Sequence, residues 1–250
     1  MTDAPATLAL VESGRDDGPL VAFVHGSMDR AAGFAKLARR LGDTHRVLRY
    51  DRRGYAGSMD AGPPFTIARH ADDLVTLLAG RPAVVLGHSL GGNIALAAAE
   101  RGGGVVRAVV SYESPFSWQP WWPPGTAGGV ALDGDPPAAA ERFMRRMIGD
   151  ALWERLPERT RAQRRAEGPA LVGELDDLRS RPPWHPENIT VPVVAAYGGR
   201  GAEHHKLGMR WLSETLGCPL VEIPDAQHGA HTSHPDALAA LVKQAFALAG

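Results

Sequence analysis

The chain has 250 residues, 44% of them hydrophobic and 22% charged, the balance of a globular protein able to bury a sizeable core without cross-links. A formal net charge of −1 argues against a nucleic-acid footprint and against general adhesion to anionic lipid, and the lone Cys218 excludes an intramolecular disulfide or a multi-cysteine metal site. The opening stretch, MTDAPATLALVESGRDDG, lacks the basic start and apolar core of a secretory signal, and no apolar run approaches the ~20 residues of a membrane span, so a cytoplasmic protein with no membrane or nucleic-acid partner is expected.

Short apolar runs then alternate with helical periodicity, which predicts a mostly parallel sheet covered on both faces. TLALVE (7–12) and LVAFVH (20–25) read as strands, followed by a helix over 31–42, a strand RVLRYD (46–51) and a helix over 65–80. AVVLG (83–87) leads into a helix over 89–102, and VVRAVVSY (105–112) is the apolar, β-rich kind of run that a central parallel strand needs. That strand ends in a carboxylate, Glu113, at the edge where open α/β sheets place their ligands. From 115 to 187 no strand is predicted. A Pro/Trp/Gly-rich segment and basic helical stretches read instead as a helical cap, too long for an ordinary loop. The alternation resumes with VPVVAAY (191–197), a helix over 208–217, PLVEIP (219–224) and a last helix over 235–250 that opens on Pro235.

Three places carry chemistry. Gly87-His88-Ser89-Leu90-Gly91 matches G-x-S-x-G between a predicted strand and a predicted helix, the setting in which that motif makes a nucleophile of its serine. The helix start behind Ser89 favours developing negative charge. An oxyanion needs two backbone N–H donors, one just after the nucleophile and one from the loop after an early strand. Leu90 fits the first; Ser27, in VHGSMD, fits the second, with Met28 as the neighbouring alternative. The base is sought among His228, His231 and His234, on the loop between the last strand and the last helix. His228, nearest the strand end, is the best placed, and a metal-binding reading of the three lacks further ligands. His204 and His205 read as exposed.

VHGSMD, YDRRGYAGS (50–58), LGHSLGG and IPDAQHGAHTSHPDAL together resemble the α/β-hydrolase family, in its branch of cap-bearing serine esterases and cofactor-free haloperoxidase-like enzymes. The resemblance implies an α/β fold: a mostly parallel, doubly wound sheet with a helical cap inserted after the sixth strand. Residues 1–114 and 188–250 would form the hydrolase core and 115–187 the cap. Only one strand is visible before the His-Gly strand, where the family has two, so an edge strand is expected to be missing. Asp51, Arg53 and Gly54 match a family loop that is mostly structural. Family members commonly carry the triad acid in the turn after the next-to-last strand, but here Gly201 falls at that place. Relatives that place the acid after the strand ending at Tyr112 point to Glu113, with Glu203 as the rival and Asp225 a distant third.

The resemblance therefore implies a triad of Ser89, His228 and Glu113, an oxyanion hole at Ser27 and Leu90, and an acyl-enzyme route with no metal or other cofactor. The expected function is hydrolysis of a small carboxylic ester or related acyl compound. A biosynthetic transferase, cyclase or lyase using the same serine, and a low-turnover ligand receptor, are the alternatives. Met28, Trp118, Trp121 and Trp122, with Phe116, are candidates to wall the pocket, though the tryptophans equally suit glue between cap and core. Arg145, Arg146, Arg164 and Arg165 read as a solvated face of the cap.

Overall fold

Every apolar run read as a strand forms one in the computed structural model, which describes residues 7–130 and 135–250. Residues 1–6 of the expected core and 131–134 of the expected cap lie outside the described residues. The strands are β1 (Leu10–Gly14), β2 (Leu20–Val24), β3 (Arg46–Tyr50), β4 (Ala83–His88), β5 (Val106–Tyr112), β6 (Val193–Gly198) and β7 (Leu220–Ile223). Their order in the sheet is β1-β3-β2-β4-β5-β6-β7, with β1 antiparallel to β3 and every other pairing parallel. β1 lies two to three residues later than TLALVE suggests. Ala9 is held by the loop after β3 instead, donating to Ser58 Oγ and accepting from the Asp51 N–H.

Alternation along the inner strands sorts the core into two layers. Leu20, Ala22 and Val24 of β2 face α2 (Ile67–Leu78) and α3 (Leu90–Arg101). Val21 and Phe23 face α1 (Ala35–Leu41) and, at the end of the chain, the helix Pro235–Ala249. α3 is buried from Leu90 through Ala98, which explains its run of small and aliphatic residues. Between β5 and β6 the described residues form helices only: α4 (Ala127–Val130), α5 (Pro136–Ile148), α6 (Asp150–Arg155), α7 (Glu158–Ala166), α8 (Gly168–Ser180) and a short 3₁₀ turn. Among the described residues the insertion follows β5, the fifth strand, and one strand, β1, precedes β2.

After the insertion come α9 (Glu203–Leu216), α10 (Ala230–Ser233) and α11 (Pro235–Ala249). α9 begins five residues before the predicted start at Gly208. Ala202 is extended and its carbonyl accepts from His205 and Lys206, while the acidic Glu203 in the first turn suits the helix dipole. The glycine-rich lead GGRGAEHHKLG had hidden that turn.

The topology positions the site. β3 lies on one side of β2 and β4 on the other, so the chain reverses its winding between β2 and β4. Such a switch point opens a crevice at the carboxyl ends of the strands. His25-Gly26, Ser89, Glu113, the turn after β6 and the loop after β7 all emerge at that one edge.

Candidate active site

The turn from β4 into α3 is sharp because three backbone segments converge there. Ser89 takes φ 54°, ψ −128°, a strained conformation for a non-glycine residue. It is held by its N–H on Tyr112 O (2.8 Å) and by its carbonyl accepting from Gly92 N–H (2.9 Å). A side chain at Gly87 would collide with the Gly91 carbonyl, and one at Gly91 with the Val24 carbonyl, so the flanking glycines are fixed by backbone packing. Leu90 opens α3, and its N–H therefore has no acceptor inside the helix. The Ser89 hydroxyl has no hydrogen-bond partner among the described residues. It lines a cavity of about 430 Å³ together with Ser27 and His228.

His228 Nδ1 and Glu113 Oε2 are 2.7 Å apart. Glu113 is wholly buried, its other oxygen accepts the Gly198 N–H at 2.9 Å, and its own N–H donates to Ala196 O at 3.0 Å. A buried carboxylate is tolerable only with such partners. With Nδ1 engaged, Nε2 is the free nitrogen of His228. The rivals are elsewhere. Glu203 has a side chain 75% exposed and meets Arg210, while Asp225 is 76% exposed and pairs with Arg200. A Cβ at Gly201 would collide with Glu113 Oε1, so an acid at the family's commoner place and Glu113 cannot share this space.

Several contributors escaped sequence reasoning. His88, the variable residue of G-x-S-x-G, donates from Nε2 to the His228 carbonyl (2.8 Å), and the Tyr112 hydroxyl donates to the Gln227 carbonyl (2.8 Å). Together they pin the backbone that presents His228. Burial, then the nearby His231 and His228, hold the His88 imidazole well below its usual range, so it stays neutral. His204 and His205, read as exposed, are instead half-buried and line the cavity, because α9 starts early and turns them inward. The His205 ring stacks on His228 at 4.5 Å and 16°, and burial, then His228, pushes its pKa well down. The His-His pair next to the vacated acid position was the signal available for them. Arg52 donates to the carbonyls of His25 (2.9 Å) and Gly26 (3.1 Å) and, from its own N–H, to His25 Nε2 (2.8 Å). It thus grips the His-Gly turn, while Arg53 is spent on Asp73.

The expected pocket wall needs correction. Trp122 lines the cavity, but Met28, Trp118 and Trp121 do not. The Met28 side chain is buried in a cluster with Tyr55, Phe143, Met144 and Trp153, and its carbonyl accepts from Arg164. Trp118 and Trp121 pack with Phe116 and Trp211 under the cap, the glue role. Arg146 also departs from expectation by lining the cavity.

Among the described residues two groups bring potential metal ligands within 4.8 Å of one another: Asp29, His88 and His231, and Glu113, His205 and His228. In each the carboxylate is already engaged by a histidine, Asp29 Oδ2 with His231 Nε2 at 3.1 Å and Glu113 with His228. His228 and His231 fall in different groups and His234 in neither. No helix among the described residues is long and apolar enough to cross a membrane.

A family model described as the alpha/beta hydrolase family matches residues 21–241. A 2-(acetamidomethylene)succinate hydrolase of Mesorhizobium japonicum is 34% identical over 110 residues, 43% of this chain and 39% of that protein. An uncharacterized hydrolase of Bacillus subtilis is 37% identical over 87 residues, 33% of this chain and 32% of its own length. The match thus spans about two fifths or less of these relatives. Among solved structures, the enol-lactonase from Burkholderia xenovorans superposes with a TM-score of 0.74 at 22% identity over 96% of each chain, a likeness of fold.

Proposed function

Since this chain belongs to the α/β-hydrolase family, we propose that it is a serine hydrolase cleaving a small carboxylic ester or related acyl substrate through Ser89, His228 and Glu113. The observation that carries this reading is the 2.7 Å bond between His228 Nδ1 and the buried Glu113, beside a cavity that Ser89 also lines. The carboxylate fixes the tautomer with a lone pair on Nε2, the form a general base requires. Ser89 Oγ attacks the substrate carbonyl carbon as its proton passes to His228 Nε2, and Glu113 stabilises the imidazolium. Negative charge gathers on the former carbonyl oxygen, facing the N–H groups of Ser27 and Leu90. The intermediate collapses, His228 protonates the leaving alcohol, and an acyl-enzyme remains. Water, deprotonated by His228, then releases the acid and restores the serine.

Nothing in the scheme depends on the alcohol, so lactones, thioesters and amides are variants of one chemistry. Two similar proteins, the 2-(acetamidomethylene)succinate hydrolase and the enol-lactonase, agree with acyl cleavage at this fold. The test is turnover of p-nitrophenyl esters of rising chain length by the wild type and by Ser89→Ala. The serine variant should retain the fold and lose turnover by up to about 10⁶-fold. Near-native rates in a folded Ser89→Ala protein would end the proposal.

A further inference from the structure

We propose that the cavity contains a subsite for a carboxylate carried on the substrate, formed by the Arg146 guanidinium with His204 beside it. This inference rests on the serine-hydrolase reading and narrows its substrate to acyl compounds with an anionic end. The cap is rich in arginine, and part of that charge is spent on carboxylates. Arg145 pairs with Glu141, Asp150 and Glu154; Arg161 with Glu154 and Glu158; Arg164 with Glu167; and Arg165 with Glu141 and Glu158. Arg146, one residue along α5 from Arg145, has no carboxylate partner among the described residues and lines the cavity instead.

The rest of that lining leaves the charge uncompensated. It includes the apolar Trp122, Phe143, Met147 and Leu175, the serines and the histidines, and among the described residues no aspartate or glutamate. Glu113 lies wholly buried behind His228 and is already committed to it. His204 lies within the field of Arg146: burial first, then His228, lower its pKa, Glu113 opposes them, and Arg146 lowers it further. A neutral His204 can offer one N–H to an anion without adding a second charge. A guanidinium presents a planar fork that matches a carboxylate in a way an ammonium does not. The apolar side chains of the same cavity suit the hydrocarbon part of such a substrate.

The experiment compares monomethyl esters of succinate, glutarate, adipate and pimelate with neutral methyl esters of matched shape, and acetate esters of hydroxy acids with those of plain alcohols. The readout is the ratio of kcat/KM for the charged ester over its neutral partner. At one chain length that ratio should exceed unity by about tenfold to hundredfold, the range of one charge-assisted contact. Arg146→Gln should remove most of the preference through KM, and Arg146→Lys should restore part of it. Arg145→Gln, on the same helix with its charge spent on cap carboxylates, should leave the ratio where it was. A ratio near one throughout both series, or a preference that Arg146→Gln does not move, overturns the subsite. If no ester is turned over, the serine reading fails, and glutarate titration against tryptophan fluorescence still decides the subsite. Saturable binding weakened by Arg146→Gln supports it, and no binding rejects it.

Discussion

Glu113 turns its backbone to φ 49° at the end of β5, a costly conformation for a residue with a side chain, and three hydrogen bonds hold it there. If that carboxylate serves His228, Glu113→Gln keeps the shape, cannot stabilise the imidazolium and permits the wrong tautomer. An Asp→Asn change in a serine-protease triad lowers kcat about 10⁴-fold, and a loss on the order of 10²–10⁴ is expected here. Glu203→Gln should change the rate by less than about threefold, as ordinary surface substitutions do. Steady-state kinetics of the two variants decide the matter, and a crippled Glu203→Gln beside a mild Glu113→Gln would reverse the assignment. Gly201 supplies a second test. Because a side chain there meets Glu113 Oε1, Gly201→Asp alone should lower turnover, whereas Gly201→Asp combined with Glu113→Ala frees the space. Partial recovery of kcat over Glu113→Ala alone is the predicted result, and no recovery in a folded double variant would count against both positions serving one histidine.

The elements of the cap are fastened to the core through buried carboxylates of α8 and its lead-in. Glu174 accepts from Arg52 at 2.6 and 3.3 Å and from the Tyr55 hydroxyl at 2.6 Å, and it lies 3.4 Å from His70. Glu167 takes Arg30, Arg164 and the Ala56 N–H, and Asp177 caps the Ile67 N–H. Removing one partner from a fully buried ion pair strands the other, so Glu174→Ala should cost about 3–5 kcal/mol in urea unfolding. A cost under about 1 kcal/mol would show that the pair is not sequestered from water. Since Arg52 also holds the His25 and Gly26 carbonyls, Glu174→Ala should slow turnover as well as destabilise. None of this was legible in the sequence. The inner strands were, because each is a short apolar run whose burial on both faces demands that composition, and so was the elbow, because its motif is contiguous in the sequence. Pairings such as Arg52 with Glu174 join residues over a hundred positions apart, and no local pattern records them. The early start of α9 was lost for a local reason: its first turn lies behind Gly198, Gly199 and Gly201.

Across the whole molecule, neutral imidazoles are a repeated feature. Burial, then Arg52, pushes His25 down to about 3, and burial first also lowers His70 and His88. In the unfolded chain each titrates near about 6.5, so below that pH the unfolded state binds protons that the native state refuses. Stability therefore rises with pH through this window and is lost on acidification, by about 1.4 kcal/mol per pH unit for each histidine kept neutral. Asp29 and Glu174 add to this at lower pH: despite burial, which alone would raise them, His231 and Arg52 respectively hold them well below the usual carboxylate range. The melting temperature should fall steeply between pH 7 and pH 5, and a flat profile would contradict the burial of these rings. At this scale the sheet was readable from the chain, and so was the placing of Ser89 and His228 at its carboxyl edge, because strand ends and motifs are local. The contact of Glu113 with His228 was readable only through the vacancy at Gly201, and the pocket wall was not readable, since Trp118, Trp121 and Trp122 have one composition and two fates. The central claim is that Ser89 is an activated nucleophile. It is tested most directly by treating the folded protein with a fluorophosphonate and locating the adduct by peptide mass spectrometry. The account predicts rapid, stoichiometric modification at Ser89, greatly slowed in Glu113→Gln and absent in Ser89→Ala. Failure to label, or an adduct on another residue, would contradict it.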